Sequence, residues 1–148
     1  MPNPAIAEKT DYLLLSGFRR ELRIYLDKSE ALCRSHALTP MQYQLLLEIA
    51  SFSAGEELHM GNLADNLQLT KHGILSLIDR CERMGLVERY TDQQARKKIL
   101  VRLLPQGTRL VDLLVRLHKQ QLQSVQEILA SPACRDLCSS PICWKGTD

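Results

Sequence analysis

Residues 62–90, NLADNLQLTKHGILSLIDRCERMGLVERY, decide the fold because they predict two helices joined by a tight turn. The turn is predicted at Gln68 and Leu69, and Thr70 is a residue type that caps helix N-termini by accepting a backbone hydrogen bond. After Thr70, apolar residues recur at steps of three and four, the spacing of a buried helical stripe. They are Ile74, Leu77, Ile78, Cys81 and Met84. Gly85 ends this helix in the left-handed conformation that favours glycine.

A β-hairpin is predicted directly after the second helix. The runs Leu86–Tyr90 and Ile99–Leu103 have the composition of short strands, and the polar, basic loop TDQQARKK (91–98) separates them. The shorter helix before the turn has no strong cap and contains three apolar residues, Leu63, Ala64 and Leu67. This order of elements predicts a winged helix-turn-helix, in which the second helix is the one that enters the major groove of DNA.

A further helix start lies upstream of this region. Thr39 is the predicted N-cap, Pro40 is the first helical residue, and Gln42 completes a capping box. Leu38 and Tyr43 are spaced to form a hydrophobic staple across the cap. The predicted apolar stripe of this helix consists of Met41, Leu45, Leu46, Ile49 and Phe52.

Two long amphipathic helices flank the predicted winged helix. The first runs from Tyr12 to about Leu32, and the last from Pro105 to about Ala130, where Pro132 closes it. In the last helix the apolar spacing is near 3.5, as expected for packing on another long helix. The winged helix does not need these two helices, so a second copy of the chain is the expected partner.

The predicted fold is mainly α with a small β-hairpin wing, and the terminal helices form a dimerisation region. Four segments follow from this assignment. They are an N-terminal arm and dimerisation helix (1–37), a winged helix-turn-helix (38–104), a C-terminal dimerisation helix (105–131) and a cysteine-containing tail (132–148).

Positive charge is concentrated in the centre of the chain. Residues 1–69 contain 6 basic and 9 acidic side chains, residues 70–102 contain 8 and 4, and residues 103–148 contain 5 and 4. The middle block therefore has a net charge of +4, although the whole chain has only +2. Such a block indicates either a surface for a polyanion or a solvated helix face.

Several classes of protein are excluded by the sequence. No segment has the roughly 18 apolar residues of a membrane span, and the N-terminus has no secretory signal, so we expect a cytoplasmic protein. We find no catalytic Ser-His-Asp signature, no glycine-rich phosphate loop and no H-E-x-x-H motif. We therefore expect no enzymatic activity, no cofactor and no metal site.

Three stretches resemble the MarR (multiple antibiotic resistance regulator) family of transcription regulators. They are LTPMQYQLLLEIA (38–50), the deciding stretch 62–90, and DQQARKKILVRLLPQG (92–107). The most specific part is RMGLVER (83–89), followed by Asp92 and Gly107 at the family's spacing. The resemblance implies a winged helix-turn-helix regulator that binds duplex DNA as a homodimer.

The sequence departs from the family pattern at the wing. The family usually has Asp-x-Arg-Asp there, with an internal salt bridge, whereas Gln94 and Ala95 occupy the third and fourth places. Leu104 replaces the threonine that usually caps the last helix. Gly73 lies inside the recognition helix, where glycine costs about 1 kcal/mol relative to alanine.

The predicted DNA contacts follow from this assignment. On the recognition helix, the residues expected to reach bases or phosphates are Thr70, Lys71, His72, Gly73, Leu75, Ser76 and Arg80. On the wing, Arg96, Lys97 and Lys98 are expected to contact phosphates or the minor groove. For Gly73, close approach to DNA and simple tolerance at an exposed site are both open.

Regulation by an effector is a further expectation. Some members of the family bind small aromatic acids between the dimer helices and the DNA-binding lobe, where Tyr25, His36 and Tyr43 are candidates; packing or capping roles are the alternative for each. Cys134, Cys138 and Cys143 are a tail of reduced thiols or a redox switch, and zinc is less favoured because their spacing fits no standard pattern. Cys81 is predicted to be a core residue.

The sequence thus predicts a sequence-specific transcription regulator, a repressor of nearby genes that a small ligand or an oxidant releases from a pseudo-palindromic operator. The alternative is a winged-helix protein-interaction module without DNA binding, which the basic helix and wing disfavour.

Overall fold

The computed structural model describes residues 6–52, 58–91 and 99–130. Its elements are α1 (Lys9–Ser35), α2 (Pro40–Ser51), α3 (Met60–Asn66), α4 (Lys71–Arg83), β1 (Val87–Thr91), β2 (Ile99–Leu103), α5 (Pro105–Gln121) and α6 (Gln123–Leu129). The predicted fold class, mainly helical with one antiparallel hairpin, is confirmed. None of the helices in the described ranges is long and apolar enough to cross a membrane.

The chain divides into two compact units. The winged-helix unit is Glu30–Leu117, and the terminal unit contains the described residues 6–29 and 118–130. The winged-helix unit therefore includes the end of α1 and most of α5, beyond the predicted segment 38–104.

The start of α2 has the predicted caps. Thr39 Oγ1 accepts a hydrogen bond from the Gln42 amide at 3.2 Å, and Gln42 Oε1 accepts one from the Thr39 amide at 2.8 Å. Pro40 is the first helical residue. This reciprocal pair satisfies two backbone donors that a helix N-terminus would otherwise leave unpaired.

The turn between α3 and α4 is tight because Gln68 adopts a positive φ of 53°. The amide of Leu69 then donates to the carbonyl of Ala64 at 2.9 Å. His59 precedes α3 without a side-chain capping bond, as the sequence predicts. The two helices are therefore joined by four residues, Leu67 to Thr70.

Gly85 ends α4 in the predicted left-handed conformation, with φ of 71°. Its amide donates to Glu82 O, and the Leu86 amide donates to Cys81 O at 3.0 Å. This pair of bonds is the Schellman arrangement, which satisfies the last carbonyls of a helix. It also directs the chain straight into β1.

The hairpin pairs β1 with β2 in antiparallel register, from Val87 opposite Leu103 to Thr91 opposite Ile99. His59 adds an isolated antiparallel bridge to Leu100. The strands lie within one residue of their predicted bounds.

Gly107 lies where α5 begins and the backbone of Leu86 passes close by. A Cβ atom on Gly107 would lie 2.0 Å from Leu86 O. The same carbonyl accepts a hydrogen bond from the Leu104 amide at 2.9 Å. Glycine is therefore required here by close packing of backbone on backbone.

The core lies in the winged-helix unit. Leucine and isoleucine side chains from α2, α3 and α4 fill it, with further residues from both strands and α5. Its largest fully buried side chains are Leu45, Leu46, Leu63, Ile74, Ile78, Leu86 and Leu114. The predicted stripes of α2 and α4 supply most of this set.

Two methionines depart from the predicted stripes. Met41 and Met84 are 36% and 37% exposed, so the prediction that both belong to buried stripes is wrong. Gln42 is buried instead of Met41, because its amide group has polar partners: the Thr39 amide, and Met84 Sδ at 3.5 Å from Nε2. Met84 is the C-cap of α4, where the helical rotation ends.

The last helix is also not continuous. The sequence predicts one helix from Pro105 to about Ala130, but a bend at Leu122 separates α5 from α6. Hydrogen bonds from the Leu122 amide to His118 O and from the Gln126 amide to Leu122 O keep the helical spacing, so the chain bends without forming a loop. Residues 119–125 contain no proline or glycine to mark this position.

The terminal unit has a small polar centre. His118 is 3% exposed, and its Nε2 lies 2.7 Å from Ser29 Oγ. The ring of Tyr25 meets the His118 ring edge-on, with centroids 6.3 Å apart. Several apolar side chains of α1 are exposed, namely Tyr12, Leu13, Leu15, Leu22, Ile24 and Leu26.

Candidate nucleic-acid interface

The candidate interface begins at the N-terminus of α4. Thr70 Oγ1 accepts a hydrogen bond from the Gly73 amide at 3.1 Å, which confirms Thr70 as the N-cap. Lys71 and His72 follow as exposed residues, and the first turn contains no acidic side chain. The helix therefore starts with a cation next to the first backbone N–H groups, which have no partner within the helix, an arrangement suited to an anion.

The exposed side of α4 follows from its buried stripe. The buried residues are Ile74, Leu77, Ile78 and Cys81. Because successive helical residues rotate by about 100°, the opposite side presents His72, Ser76, Asp79 and Arg83 in one row. Arg80 flanks this row, and its Nη2 donates to Ser76 Oγ at 3.3 Å.

The structure adds a packing explanation for Gly73 that the sequence alone does not indicate. A Cβ atom at this position would lie 3.2 Å from Thr70 Oγ1 and 3.7 Å from Leu69 Cβ. Alanine would therefore crowd the hydroxyl group that caps the helix. This crowding is a third explanation for Gly73, beside close approach to DNA and simple tolerance.

Arg89 of β1 binds both acidic residues of α4. Its Nη2 lies 2.6 Å from Asp79 Oδ1 and 2.6 Å from Glu82 Oε2. Its backbone amide donates to Glu82 Oε1 at 2.7 Å. The hydrogen bond that the Arg89 guanidinium donates to Glu82 raises the pKa of Arg89 above its ordinary value, and the charges of Glu82 and Asp79 act in the same direction. Arg89 therefore stays charged and links the hairpin to the recognition helix.

A second ion pair lies within the hairpin itself. Arg102 Nε is 2.5 Å from Glu88 Oε1, and these residues are opposite each other in the strand register. The Arg102 guanidinium also lies over the Tyr90 ring, 4.9 Å from its centroid. Strand alternation puts Glu88 and Tyr90 on one face of β1 and Arg89 on the other.

These pairs determine which cations are available to a ligand. Between residues 70 and 91 and between 99 and 102, every acidic side chain is paired with Arg89 or Arg102. Within the same ranges, no ion pair with a carboxylate involves Lys71, Arg80 or Arg83. All three are exposed on α4, so the cations that remain available in the described part of this block lie on the recognition helix.

The structure thus brings the predicted helix residues together on one element. Thr70, Lys71, His72 and Arg80 are exposed, and Gly73, Leu75 and Ser76 are half-buried. The predicted wing residues Arg96, Lys97 and Lys98 lie outside the described residues. Sequence reasoning missed Arg83 and Arg89. The spacing of Glu82, Gly85 and Arg89 was the available signal, since a helix end at Gly85 brings the next strand back along the helix.

The other candidate residues have different surroundings. Tyr25 is in the terminal unit beside His118. In the winged-helix unit Tyr43 is 9% exposed within the core, and His36 Nδ1 lies 2.9 Å from Leu32 O. An effector pocket formed by these three residues stays a prediction. Cys134, Cys138 and Cys143 lie outside the described residues.

Cys81 is a core residue, as predicted. Its side chain is fully buried on α4. Burial raises the pKa of the Cys81 thiol to about 11, and the nearby charge of Arg80 lowers it only partly. The thiol is therefore protonated at neutral pH, and it has little of the thiolate character that reactive cysteines need.

Known proteins match both the sequence and the fold. The profile of the MarR family matches residues 37–98. The HTH-type transcriptional regulator YsmB of Bacillus subtilis (strain 168) is 28% identical over 114 residues, which cover 75% of this chain and 74% of YsmB. The segment that the family profile matches includes both α3 and α4.

Solved structures of the same fold cover most of the chain. AbsC, a MarR family transcriptional regulator from Streptomyces coelicolor, is 20% identical with a TM-score of 0.69, over 90% of this chain and 88% of AbsC. A MarR family protein from Bacillus stearothermophilus is 23% identical with a TM-score of 0.69, over 91% and 90%. MepR from Staphylococcus aureus, in a structure of its complex with DNA, is 20% identical with a TM-score of 0.68. This match covers 90% of this chain and 93% of MepR.

Proposed function

The profile of the MarR family of transcription regulators matches the helix-turn-helix region of this chain, and from this premise we propose that the protein is a regulator of that type, which binds duplex DNA as a homodimer and regulates transcription. The MepR structure of the same fold was solved as a complex with DNA. In the proposed complex α4 enters the major groove, and the hairpin lies along the adjoining backbone. We expect no catalytic activity.

One observation carries the proposal: the charge at the start of α4. Lys71 is the first residue of the helix, where the helix dipole disfavours a cation. No acidic side chain of the first turn compensates it. A phosphate group would compensate both the lysine and the free N–H groups. Lys71 therefore slightly lowers the folding stability, and it does so at the position where a DNA-binding helix approaches its target.

The homodimer is supported by the exposed apolar side chains of α1. Leu15, Leu22 and Leu26 lie on one face of the helix, at spacings of seven and four, and all three are at least 36% exposed. A second copy of the chain, related to the first by a two-fold axis, would cover these side chains. Two symmetric recognition helices predict a pseudo-palindromic operator with half-sites about one helical turn, roughly 10 base pairs, apart.

Regulation is the finer part of the proposal. We expect a cytoplasmic repressor of nearby genes that a small aromatic ligand or an oxidant releases from its operator. Tyr25, His36 and Tyr43 are the candidates for ligand contact, and the tail cysteines are the candidates for oxidation.

The test is Lys71→Ala, measured by fluorescence anisotropy on the duplex upstream of the protein's own coding sequence. The expected loss is about 1–3 kcal/mol per recognition helix, which for the two helices of a dimer is at least about thirtyfold in Kd. Lys28→Ala is the matched control, because Lys28 is an exposed lysine of the terminal unit, and it should stay within about twofold of the parent. Arg96→Ala should weaken binding on all sequences and make its salt dependence shallower.

Equal affinity of the parent and the Lys71 variant would contradict the assignment of α4 as the recognition helix. A parent chain that binds no duplex at low salt would favour the alternative, a winged-helix protein-interaction module.

A further inference from the structure

The recognition helix has two acidic side chains, and one arginine from the hairpin binds both. Asp79 and Glu82 are the acidic residues of α4, and Arg89 Nη2 lies 2.6 Å from an oxygen of each. The backbone amide of Arg89 also donates to Glu82. Three contacts thus connect β1 to the last two turns of α4.

The position of Asp79 makes this connection relevant to DNA binding. Asp79 follows Ser76 in the exposed row of α4, about 4.5 Å further along the helix axis. The row begins with His72, one of the predicted base-contacting residues. An unpaired carboxylate in this row would face the phosphates that line the major groove, and would repel them.

We propose that Arg89 is a positioning residue of the DNA interface, which holds the carboxylate of Asp79 away from the DNA-facing row, neutralises the carboxylate of Glu82 beside that row, and fixes the hairpin against the recognition helix. The inference rests on the proposed function. It adds a residue that contacts no DNA itself and acts through the two elements that do.

The chemistry of arginine suits this role better than that of lysine. A planar guanidinium donates in fixed directions and can serve two carboxylates at once, whereas an ammonium group is a point charge on a flexible stem. The Arg89 side chain is 34% exposed, and those of Asp79 and Glu82 are 46% and 25% exposed. Ion pairs this exposed add little to folding stability, so the main effect of losing Arg89 is expected in DNA binding.

Arg102 provides a matched control within the same hairpin. It is also an arginine paired with a carboxylate, but its partner Glu88 belongs to β1 and lies on the other face of the strand. Arg102→Met therefore removes one positive charge and exposes one carboxylate without changing any contact of Arg89 with α4.

The experiment compares Arg89→Met, Arg89→Lys and Arg102→Met with the parent, on the upstream duplex and on a scrambled duplex of equal length and composition, over a range of salt. We expect Arg89→Met to weaken binding to both duplexes on the order of tenfold, and Arg102→Met by less than about threefold. Arg89→Lys should lie between them. Adding Asp79→Asn and Glu82→Gln to Arg89→Met should return binding of the scrambled duplex to within about threefold of the parent, because the repelling charges are then absent.

Equal effects of Arg89→Met and Arg102→Met would overturn the inference, and so would failure of the two neutralising substitutions to restore binding. Far-UV circular dichroism and thermal unfolding accompany each variant. If Arg89→Met does not fold, the comparison of Arg89→Lys with Arg102→Met decides by the same criterion. If the parent binds neither duplex, the proposed function itself is contradicted. If the parent binds and the Arg89 variants bind as tightly as the parent, only this inference is contradicted.

Discussion

The two units of the molecule differ in how far they bury their apolar side chains. The winged-helix unit buries a continuous core that includes side chains from α2, α3, α4, both strands and α5. In the terminal unit, α1 leaves Leu13, Leu15 and Leu26 more than half exposed. The terminal unit also contains a buried carbonyl oxygen, Gln121 Oε1, without a hydrogen-bond partner among the described residues.

This difference indicates that the winged-helix unit folds by its own contacts, whereas the terminal unit leaves an apolar helix face for a partner to cover. A closed core with satisfied caps is sufficient for a small domain, whereas a long helix with an apolar face is not. The difference supports the proposed function, in which the winged-helix unit contacts DNA and the terminal unit contributes to the proposed dimer interface. The following predictions test this interpretation.

The largest effect is expected for Gly107→Ala in the winged-helix unit. The new Cβ would lie 2.0 Å from Leu86 O, so the α5 and β1 ends must separate. We expect the free energy of unfolding to fall by about 4 kcal/mol, at the upper end for overpacking. Gly17→Ala is the control on α1, since no atom lies within 4 Å of its new Cβ, and it should raise stability by up to about 1 kcal/mol. Urea titration measures both, and a Gly107 variant as stable as the parent would refute the close approach.

The next effect concerns the terminal unit. Leu26 is 54% exposed, so a partner helix can bury about half of its side chain, worth roughly 1.5 kcal/mol per protomer. Leu26→Glu should therefore weaken dimerisation by about 3 kcal/mol, or on the order of a hundredfold in Kd, with unchanged helix content. Sedimentation equilibrium measures the dimer Kd. Unaltered self-association would mean that this face is not the interface.

The smallest effect tests the closure of the winged-helix core. The pKa of Cys81 is about 11 in the folded protein against an ordinary value of 9.0. Because the folded pKa is raised, the protonated thiol contributes stability that is complete below pH 9 and is lost as the pH rises towards 11. We expect a loss of about 2 kcal/mol over this interval. Cys81→Ala should remove this part of the pH dependence, and an identical alkaline decline in the variant would contradict the assignment.

Local signals in the sequence were sufficient for most of the fold. Thr39, Gln42 and Thr70 each form a capping bond with a residue three positions away, and Gly85 has its positive φ for reasons of backbone sterics alone. Such features depend on a few neighbouring residues, and for that reason they can be predicted without tertiary structure.

The features that escaped prediction depend on distant contacts. Gln42 occupies a core position because Met84 lies beside it, 42 positions along the chain. The ion pairs of Arg89 with Asp79 and Glu82 depend on the orientation of a strand against a helix. The bend at Leu122 has no local marker in the sequence. The resemblance placed Gly107 at the family's spacing, but its reason, the passing carbonyl of Leu86, is visible only in the folded chain.

Binding of DNA by a dimer is tested most directly by the stoichiometry of the complex with DNA. Sedimentation velocity of the full chain, mixed with a labelled duplex from its upstream region, gives the mass of the bound species. We predict two protomers per operator, and loss of the complex with Lys71→Ala while the free dimer persists. One protomer per duplex, or a complex that persists unchanged in the Lys71 variant, would contradict this prediction.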